Sequence, residues 1–474
     1  MGIILLRAIH NSIDMTDKDY IFWYKRNIGW ILIAFFCAVP VIFWLSMHTI
    51  SDSFYNMSQT FLSIGKLVGL VGFILYSINM VLTLRQHWLE NIFNGLNRVY
   101  IAHHITGGIA LAFLVFHPLL IALQYVELEI ATSIKHAASA LLPQSINFED
   151  TFPFVQEAVA YNSGIIAFIG MVVLLMITFY AKLPYNFWLF THRFLGVAFL
   201  FAGVHVVFID SDVSGSLFLT VYMLFWISVG VFAFIYKTIL GNILIRRSPY
   251  KVSSVGVLPG NTVGIHLTPM NKPIDFKPGQ FIFIRFLWST DSGIEREIHP
   301  FSVASEPAGN GFVLYIKALG DFTNSLKKLQ VGTIAEVEGA FGKFSYTNFQ
   351  DSSQIWIAGG IGITPFLSMA RSIDKHCPQV DLFYSAQNRD ELLDQATLAN
   401  YLPAHYPNFK YHPYVSSETN AFLSARYIAD NIEDILHKEI FICGPPAMMK
   451  AMRSQLKGLG VKNSKIHTEE FSMS

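Results

Sequence analysis

Hydrophobic positions follow two different rhythms along the chain, and the change falls near residue 243. Before it lie six long apolar runs, at 29–50, 61–84, 100–124, 163–181, 188–209 and 217–239. Each is long enough for the ~20 helical residues that cross a bilayer. After it the period shortens to two. "YKVSSVGVL", "TVGIHLTP", "QFIFIRF", "GFVLYIKAL" and "TIAEVEGAFG" alternate between glycine and proline turns, which predicts about six strands of a small antiparallel β-barrel. Further on, "SQIWIAGGIGITPFLSMARSI" reads as a buried strand, a glycine turn and a helix. "VDLFYSAQ" and "EIFICGPPAMMKAM" repeat that design, as in a doubly wound parallel sheet. The pattern predicts a multidomain membrane protein: an N-terminal segment (1–28), a six-helix transmembrane bundle (29–243), an antiparallel β-barrel (244–347) and an α/β domain (348–474).

Charge orients the bundle. Arg7, Lys18, Lys25 and Arg26 precede the first run, Arg85 and Arg98 follow the second, Lys182 and Arg193 flank the fourth connection, and Lys237, Arg246 and Arg247 follow the sixth. The opposite connections carry Asp52, Glu127, Glu129, Glu149, Asp150, Glu157, Asp210 and Asp212, with Lys135 as their basic residue. The positive-inside rule then puts both termini in the cytoplasm, in an integral protein of the plasma or inner membrane. With 53% hydrophobic and 14% charged residues the chain is too apolar for a soluble enzyme. Its 33 basic and 33 acidic residues balance, so nothing points to nucleic acid. Three cysteines, Cys37, Cys377 and Cys443, with no C-x-x-C, exclude a disulfide framework, a zinc ribbon and a four-cysteine iron–sulfur site. The start, "MGIILLRAIHNS", has too short an apolar run for a signal peptide and lacks the Ser or Thr of a myristoylation motif.

Ionisable side chains at membrane depth are costly and usually functional. His103 and His117 stand fourteen residues apart in the third run, and His192 and His205 thirteen apart in the fifth. The alternative pair His104–His117 is also thirteen apart, which leaves the inner ligand open between His103 and His104. Either spacing separates two rings by ~20 Å along a helix. Both runs cross in the same direction, so His103 is expected opposite His192 and His117 opposite His205. Gly107 and Gly196, each four residues after the inner histidine, favour His103 and are expected to leave room for a large flat ligand. Two bis-imidazole sites stacked across a bilayer suit two haems, b-type because no C-x-x-C-H occurs. His48, His87 and His136 lie in or beside connections and read as solvated.

"KPGQF" (277–281), "HPFSVAS" (299–305), "IKALGDFT" (316–323), "VEGAFGKF" (337–344), "GGIGITPF" (359–366) and "CGPP" (443–446) occur in the order seen in the ferredoxin–NADP reductase superfamily. With the histidine-paired bundle, the chain resembles the NADPH oxidase and ferric reductase family over residues 29–471. The resemblance implies that the barrel is an FAD domain and the α/β domain a NAD(P)H domain. It lays His299, Pro300, Phe301 and Ser302 along the flavin, and gives the FAD diphosphate to Lys317, Gly320 and Thr323, with Asp321 and Phe322 between them. It gives the nicotinamide nucleotide to Gly360, Gly362, Ile363, Thr364 and Pro365, with Cys443, Gly444 and Pro445 near the nicotinamide. An aromatic near the C-terminus shields the flavin in this family. Phe471 is the candidate, although three residues follow it where the oxidases usually end. Taken singly, Phe301 and Phe322 read equally well as core, Pro300 and Gly320 as turn formers, and Cys443 as a small buried residue.

The implied activity is electron transfer from cytoplasmic NAD(P)H, through FAD and two b-type haems, to an acceptor outside. Oxygen, reduced to superoxide, is favoured narrowly over a ferric chelate; a relay to an extracytoplasmic partner enzyme differs only in its acceptor. A six-helix channel with a regulatory nucleotide domain leaves the histidine pairs unexplained. Lys66, near the outer end of the second run, matches a cation that the family's oxidases place by the outer haem, and reads equally well as a lysine snorkelling to the interface. NADH and NADPH both remain open: Arg389 and Arg426 are candidates for a 2′-phosphate, Arg426 more simply a solvated arginine. No EF-hand or proline-rich tail appears, so no obligatory cytosolic activator is expected.

Overall fold

The computed structural model describes residues 17–146, 152–287, 294, 296–374 and 376–469. Arg7, Glu149, Asp150 and Phe471 lie outside them. The chain divides into two compact units, Trp23–Ile245 and one containing Arg246–Ser474.

In the first unit, six helices are long and apolar enough to cross a membrane. They are α1 (Asp17–Met47), α2 (Met57–Leu82), α3 (Leu96–Leu123), α4 (Phe152–Tyr180), the pair α5 (Tyr185–Arg193) and α6 (Leu195–Phe208), and α7 (Leu217–Phe234), which runs on into a wider turn over Ile235–Ile239. Lipid cannot satisfy a backbone amide, so helix is what these runs must form, interrupted in the fifth by a turn at Phe194. The fourth begins well before the expected residue 163. Its first turns carry Glu157 and Asn162, too polar to register as a span, yet Asn162 exchanges two 2.8 Å bonds with the backbone of Gln144. A short helix, Ile130–Leu141, lies in the same connection. The second helix, α2, is the most enclosed and packs on α3 and α7, while α4 packs on α6.

The second unit begins with a six-stranded antiparallel sheet ordered β4-β3-β6-β1-β2-β5. Its strands are β1 (Ser248–Leu258), β2 (Thr262–Pro269), β3 (Phe281–Phe286), β4 (His299–Ser302), β5 (Phe312–Lys317) and β6 (Ile334–Phe341). The expected barrel is a curled sheet whose ladder stays open between its edge strands β4 and β5. Pro300 in β4 has no N–H to offer a further strand, which suits it to an edge. Just past β4, Ala304 N–H donates to Val313 O at 2.8 Å. Inside the curl, Val252, Ile265, Ile282, Leu314 and Val337 are fully buried.

The remaining strands, β7 (Gln354–Gly359), β8 (Val380–Ala386), β9 (Phe409–Val415), β10 (Glu439–Cys443) and β11 (Ile466–Thr468), form a parallel sheet ordered β11-β10-β7-β8-β9. Both faces of β7 are covered: Trp356 and Ala358 join one core, and Ile355 and Ile357 the other. That explains its unbroken apolar run. Helices α8 (Thr364–Arg371) and α9 (Pro446–Gly458) follow β7 and β10. Strand order reverses between β7 and β10, so their carboxyl ends form the crevice where open parallel sheets bind ligands.

Candidate functional site

Two pairs of imidazoles meet inside the helical unit. The rings of His103 (α3) and His192 (α5) have centres 6.2 Å apart, and those of His117 (α3) and His205 (α6) 6.3 Å apart. What holds each ring decides which nitrogen is left over. His117 Nδ1 lies 2.8 Å from Gly65 O on α2, and His205 Nδ1 lies 2.9 Å from Ala160 O on α4. A carbonyl only accepts, so both Nδ1 atoms carry the proton. His103 Nδ1 approaches Asn79 O at 3.3 Å, while Asn79 Nδ2 donates back to His103 O at 2.6 Å. His192 Nδ1 lies 3.3 Å from Thr178 Oγ1, whose own proton goes to Leu174 O. In all four rings Nε2 therefore keeps its lone pair. That is how ligating histidines are commonly oriented.

Glycine provides the room, though not at the expected positions. A Cβ on Gly69 would lie 2.6 Å from the His117 ring, and one on Gly164 would lie 2.7 Å from the His205 ring. Each is four residues beyond the carbonyl that holds that ring, so His117 and His205 sit in matching grooves. Gly107 and Gly196 do something else. A Cβ there would meet the Asn79 amide at 3.0 Å and the Phe234 ring at 2.0 Å, so these glycines admit neighbouring helix side chains rather than a flat ligand. His104 is exposed, its ring centre 5.8 Å from that of His103. No group of three or more metal-ligating side chains occurs among the described residues.

Lys66, adjacent to Gly65, carries its own counter-ion. Its Nζ lies 3.0 and 3.1 Å from the two carboxylate oxygens of Asp212, which also accepts from Trp44 Nε1 at 2.7 Å. His48, expected to be solvated, stacks on Trp44 and places Nε2 3.5 Å from the same carboxylate. Burial works to keep a proton on Asp212, but Trp44, Lys66 and His48 outweigh it and hold the carboxyl below its ordinary value.

In the second unit, the His299 ring stacks on Phe322 at 3.9 Å and near Phe301 at 6.3 Å. The sequence reading missed Glu297, a buried carboxylate 2.7 Å from His299 Nε2, although alternate residues of an extended segment share a face. Pro300 is partly buried beside them, Ser302 is buried, and Asp321 is exposed. Gly320 N–H donates to Thr323 Oγ1 at 3.0 Å. Lys317 is paired with Glu391 at 3.3 Å.

At the carboxyl ends of the parallel strands, Gly360 has φ +52°, a conformation that favours glycine. A Cβ on Gly362 would lie 2.4 Å from Cys443 O, so the turn after β7 and the Cys443–Gly444–Pro445 turn approach backbone to backbone. Ile363 and Thr364 are buried, Thr364 Oγ1 donates to Ile361 O at 3.0 Å, and Pro365 opens α8 where its missing N–H costs nothing. Burial above all, with Glu469 nearby, pushes the Cys443 thiol far up, so it stays protonated and is no thiolate nucleophile. Arg389 is exposed and bound by both carboxylate oxygens of Glu418, and Arg426 pairs with Asp430 at 3.1 Å.

Three family profiles match in succession: "Ferric reductase like transmembrane component" over residues 68–203, "FAD-binding domain" over 247–361 and "Oxidoreductase NAD-binding domain" over 356–454. The chain belongs to the ferric reductase and NADPH oxidase family. This family member carries FAD- and NAD-binding domains behind its transmembrane component. It is 28% identical over 236 residues to the anthranilate 1,2-dioxygenase electron transfer component of Acinetobacter baylyi, covering 47% of this chain and 66% of that one. It is 25% identical over 249 residues to a flavohemoprotein of Candida norvegensis, covering 49% and 60%. The chain thus spans less than two thirds of the length of these relatives. Among solved structures, the FAD/NAD-binding domain of nitric oxide dioxygenase from Vibrio cholerae aligns with a TM-score of 0.42 at 22% identity, over 47% of this chain and 98% of that one.

Proposed function

We propose that the chain is a transmembrane NAD(P)H oxidase with FAD and two b-type haems as cofactors. In the balanced reaction, NAD(P)H and two oxygen molecules give NAD(P)⁺, a proton and two superoxide ions. The observation that carries this reading is the pair of imidazole pairs with all four Nδ1 atoms engaged. A metal held by two imidazole nitrogens at roughly 2 Å each puts the ring centres roughly 6 Å apart. A site with two protein ligands suits an ion that brings its equatorial ligands with it, as haem iron does. His103 and His192 would hold one haem, and His117 and His205 the other. Basic residues on the connections beside the termini support a cytoplasmic location for both ends.

The chemistry a bound FAD would supply is acceptance of a hydride and release of single electrons, and that of a bound haem would be one-electron acceptance. The protein's part is binding and orientation. Phe301, Phe322 and His299 offer an aromatic wall for the flavin, and Glu297 fixes the His299 ring. Lys317 supplies a cation for the diphosphate once Glu391 yields it, with Gly320, Asp321 and Thr323 in the adjoining turn. Gly360 and Gly362 let the pyrophosphate of NAD(P)H approach backbone, beside Ile363, Thr364 and Pro365. Gly444 and Pro445 line the nicotinamide side with the neutral Cys443, and Phe471 is the shielding aromatic.

A second reading, reduction of a ferric chelate, draws support from Asp212. It neutralises Lys66, and so weakens the case for a cation dedicated to an anionic product. Purified protein supplied with NADH or NADPH separates the two. Steady superoxide formation in the absence of iron supports the oxidase, and turnover that requires a ferric chelate supports the second reading.

A further inference from the structure

We propose that Glu418 and Arg389 together form the site that reads the adenosine ribose of the dinucleotide, and that Glu418 makes NADH the preferred donor over NADPH. The inference rests on the nicotinamide-dependent reading above and adds which nucleotide is used. It begins with placement. The glycine turn after β7 is the pyrophosphate candidate, and the Cys443–Pro445 turn after β10 takes the nicotinamide side. The adenosine must then extend the other way, over the carboxyl ends of β8 and β9. Arg389 follows β8 and Glu418 follows β9. In dinucleotide-binding parallel sheets an acidic residue near the adenosine accepts from the ribose 2′-hydroxyl, whereas an arginine accommodates a 2′-phosphate.

This chain has both, and they occupy each other. Arg389 Nε and Nη2 donate to the two Glu418 oxygens at 2.8 and 2.7 Å. The loops that carry them are stitched together: Ser417 N–H donates to Gln387 O at 3.1 Å, and Ser416 Oγ to Ala386 O at 3.1 Å. The pair is therefore built at a fixed place. It is also open to a ligand, with the two side chains 69% and 48% exposed. A ribose diol can donate to Glu418 while the pair stays intact. A 2′-phosphate can reach Arg389 only through the Nη1 side that Glu418 leaves free, and there it would sit beside a carboxylate that already neutralises the cation. Asp390 on the same loop adds a further negative charge, while Glu391 is paired with Lys317.

The test is steady-state kinetics of the purified, FAD-loaded full-length protein with NADH and NADPH, alongside calorimetric binding of 2′-AMP, for wild type, Glu418→Gln and Arg389→Ala. Wild type is expected to favour NADH in kcat/KM. Glu418→Gln should shift the NADH-to-NADPH ratio toward NADPH by about tenfold and tighten 2′-AMP. Arg389→Ala should weaken NADPH and 2′-AMP more than NADH. A ratio unchanged within twofold in Glu418→Gln, or a wild type that prefers NADPH, overturns the proposal while leaving the dehydrogenase reading intact. Failure of both nucleotides to reduce the wild-type flavin overturns both.

Discussion

His117 and His205 present their rings to one another from α3 and α6 at 6.3 Å, and each is anchored by a backbone carbonyl of a different helix. Because Gly65 O and Ala160 O hold both Nδ1 protons, the haem proposed for this pair would be held through the two free Nε2 atoms. His117→Ala or His205→Ala should each lower haem content from two to one per chain, with the inner haem retained. Pyridine haemochrome stoichiometry checks this, and two haems in either variant would break the pairing. His104→Ala should leave both haems in place.

The grooves make a second, finer prediction. Gly69→Ala or Gly164→Ala drives a methyl group into a ligand ring, an overpacking that costs about 1–3 kcal/mol if the site is kept. Outer-haem occupancy should fall, or its reduction potential should shift, while Gly107→Ala affects the Asn79 contact and spares the outer haem. Spectroelectrochemical titration distinguishes these outcomes.

Lys66 and Asp212 should act in opposite directions on oxygen. Superoxide is an anion formed from a neutral molecule, so a nearby cation favours the product side. Lys66→Met should slow superoxide formation by about tenfold, and Asp212→Asn, which frees the ammonium, should speed it by roughly threefold. If a ferric chelate is the acceptor instead, Lys66→Met should slow only anionic chelates. Initial rates with oxygen and with chelates of both charge types provide the measurement.

Asp381 contributes to the acid side of stability in the reductase unit. Its carboxylate is almost fully buried, 3.1 Å from His412 Nε2 and 3.2 Å from Lys438 Nζ. Burial raises its pKa, but His412 and Lys438 more than offset this and hold it below the ordinary value. A depressed carboxyl contributes stability that is present above its unfolded-state pKa and is lost as pH falls through the folded value. Asp381→Asn should therefore flatten the acid limb of a stability–pH curve below about pH 4. At neutral pH it should cost about 3–5 kcal/mol, since it strands Lys438. Thermal melts across pH report both effects.

The six helices were legible because lipid is a severe filter: a run of apolar residues with its amides unsatisfied has no alternative to helix. The histidine spacing was legible for a related reason, since few polar groups survive there without a task. Partners distant in sequence were not legible. Lys66 and Asp212 lie 146 positions apart, and Arg389 and Glu418 29 apart, and an ion pair leaves no local pattern that joins them. Glycine misled in the same way. Gly107 and Gly196 repeat at one offset from a histidine, but what a missing Cβ admits is set by the facing helix, here Asn79 and Phe234, rather than by the glycine's own strand of sequence. The sheet closed less than its strand count implied: among the described residues no ladder joins β4 to β5, and Pro300 in β4 has no N–H to offer one.

Transmembrane electron transfer is most directly tested with the haem- and FAD-loaded protein in sealed liposomes, its reductase unit facing out and an impermeant acceptor such as ferricyanide trapped inside. NADH added outside should reduce the trapped acceptor in wild type and fail to do so in His117→Ala, although external NADH still reduces the flavin. No reduction of the trapped acceptor by wild type, or equal reduction by the variant, would contradict the account.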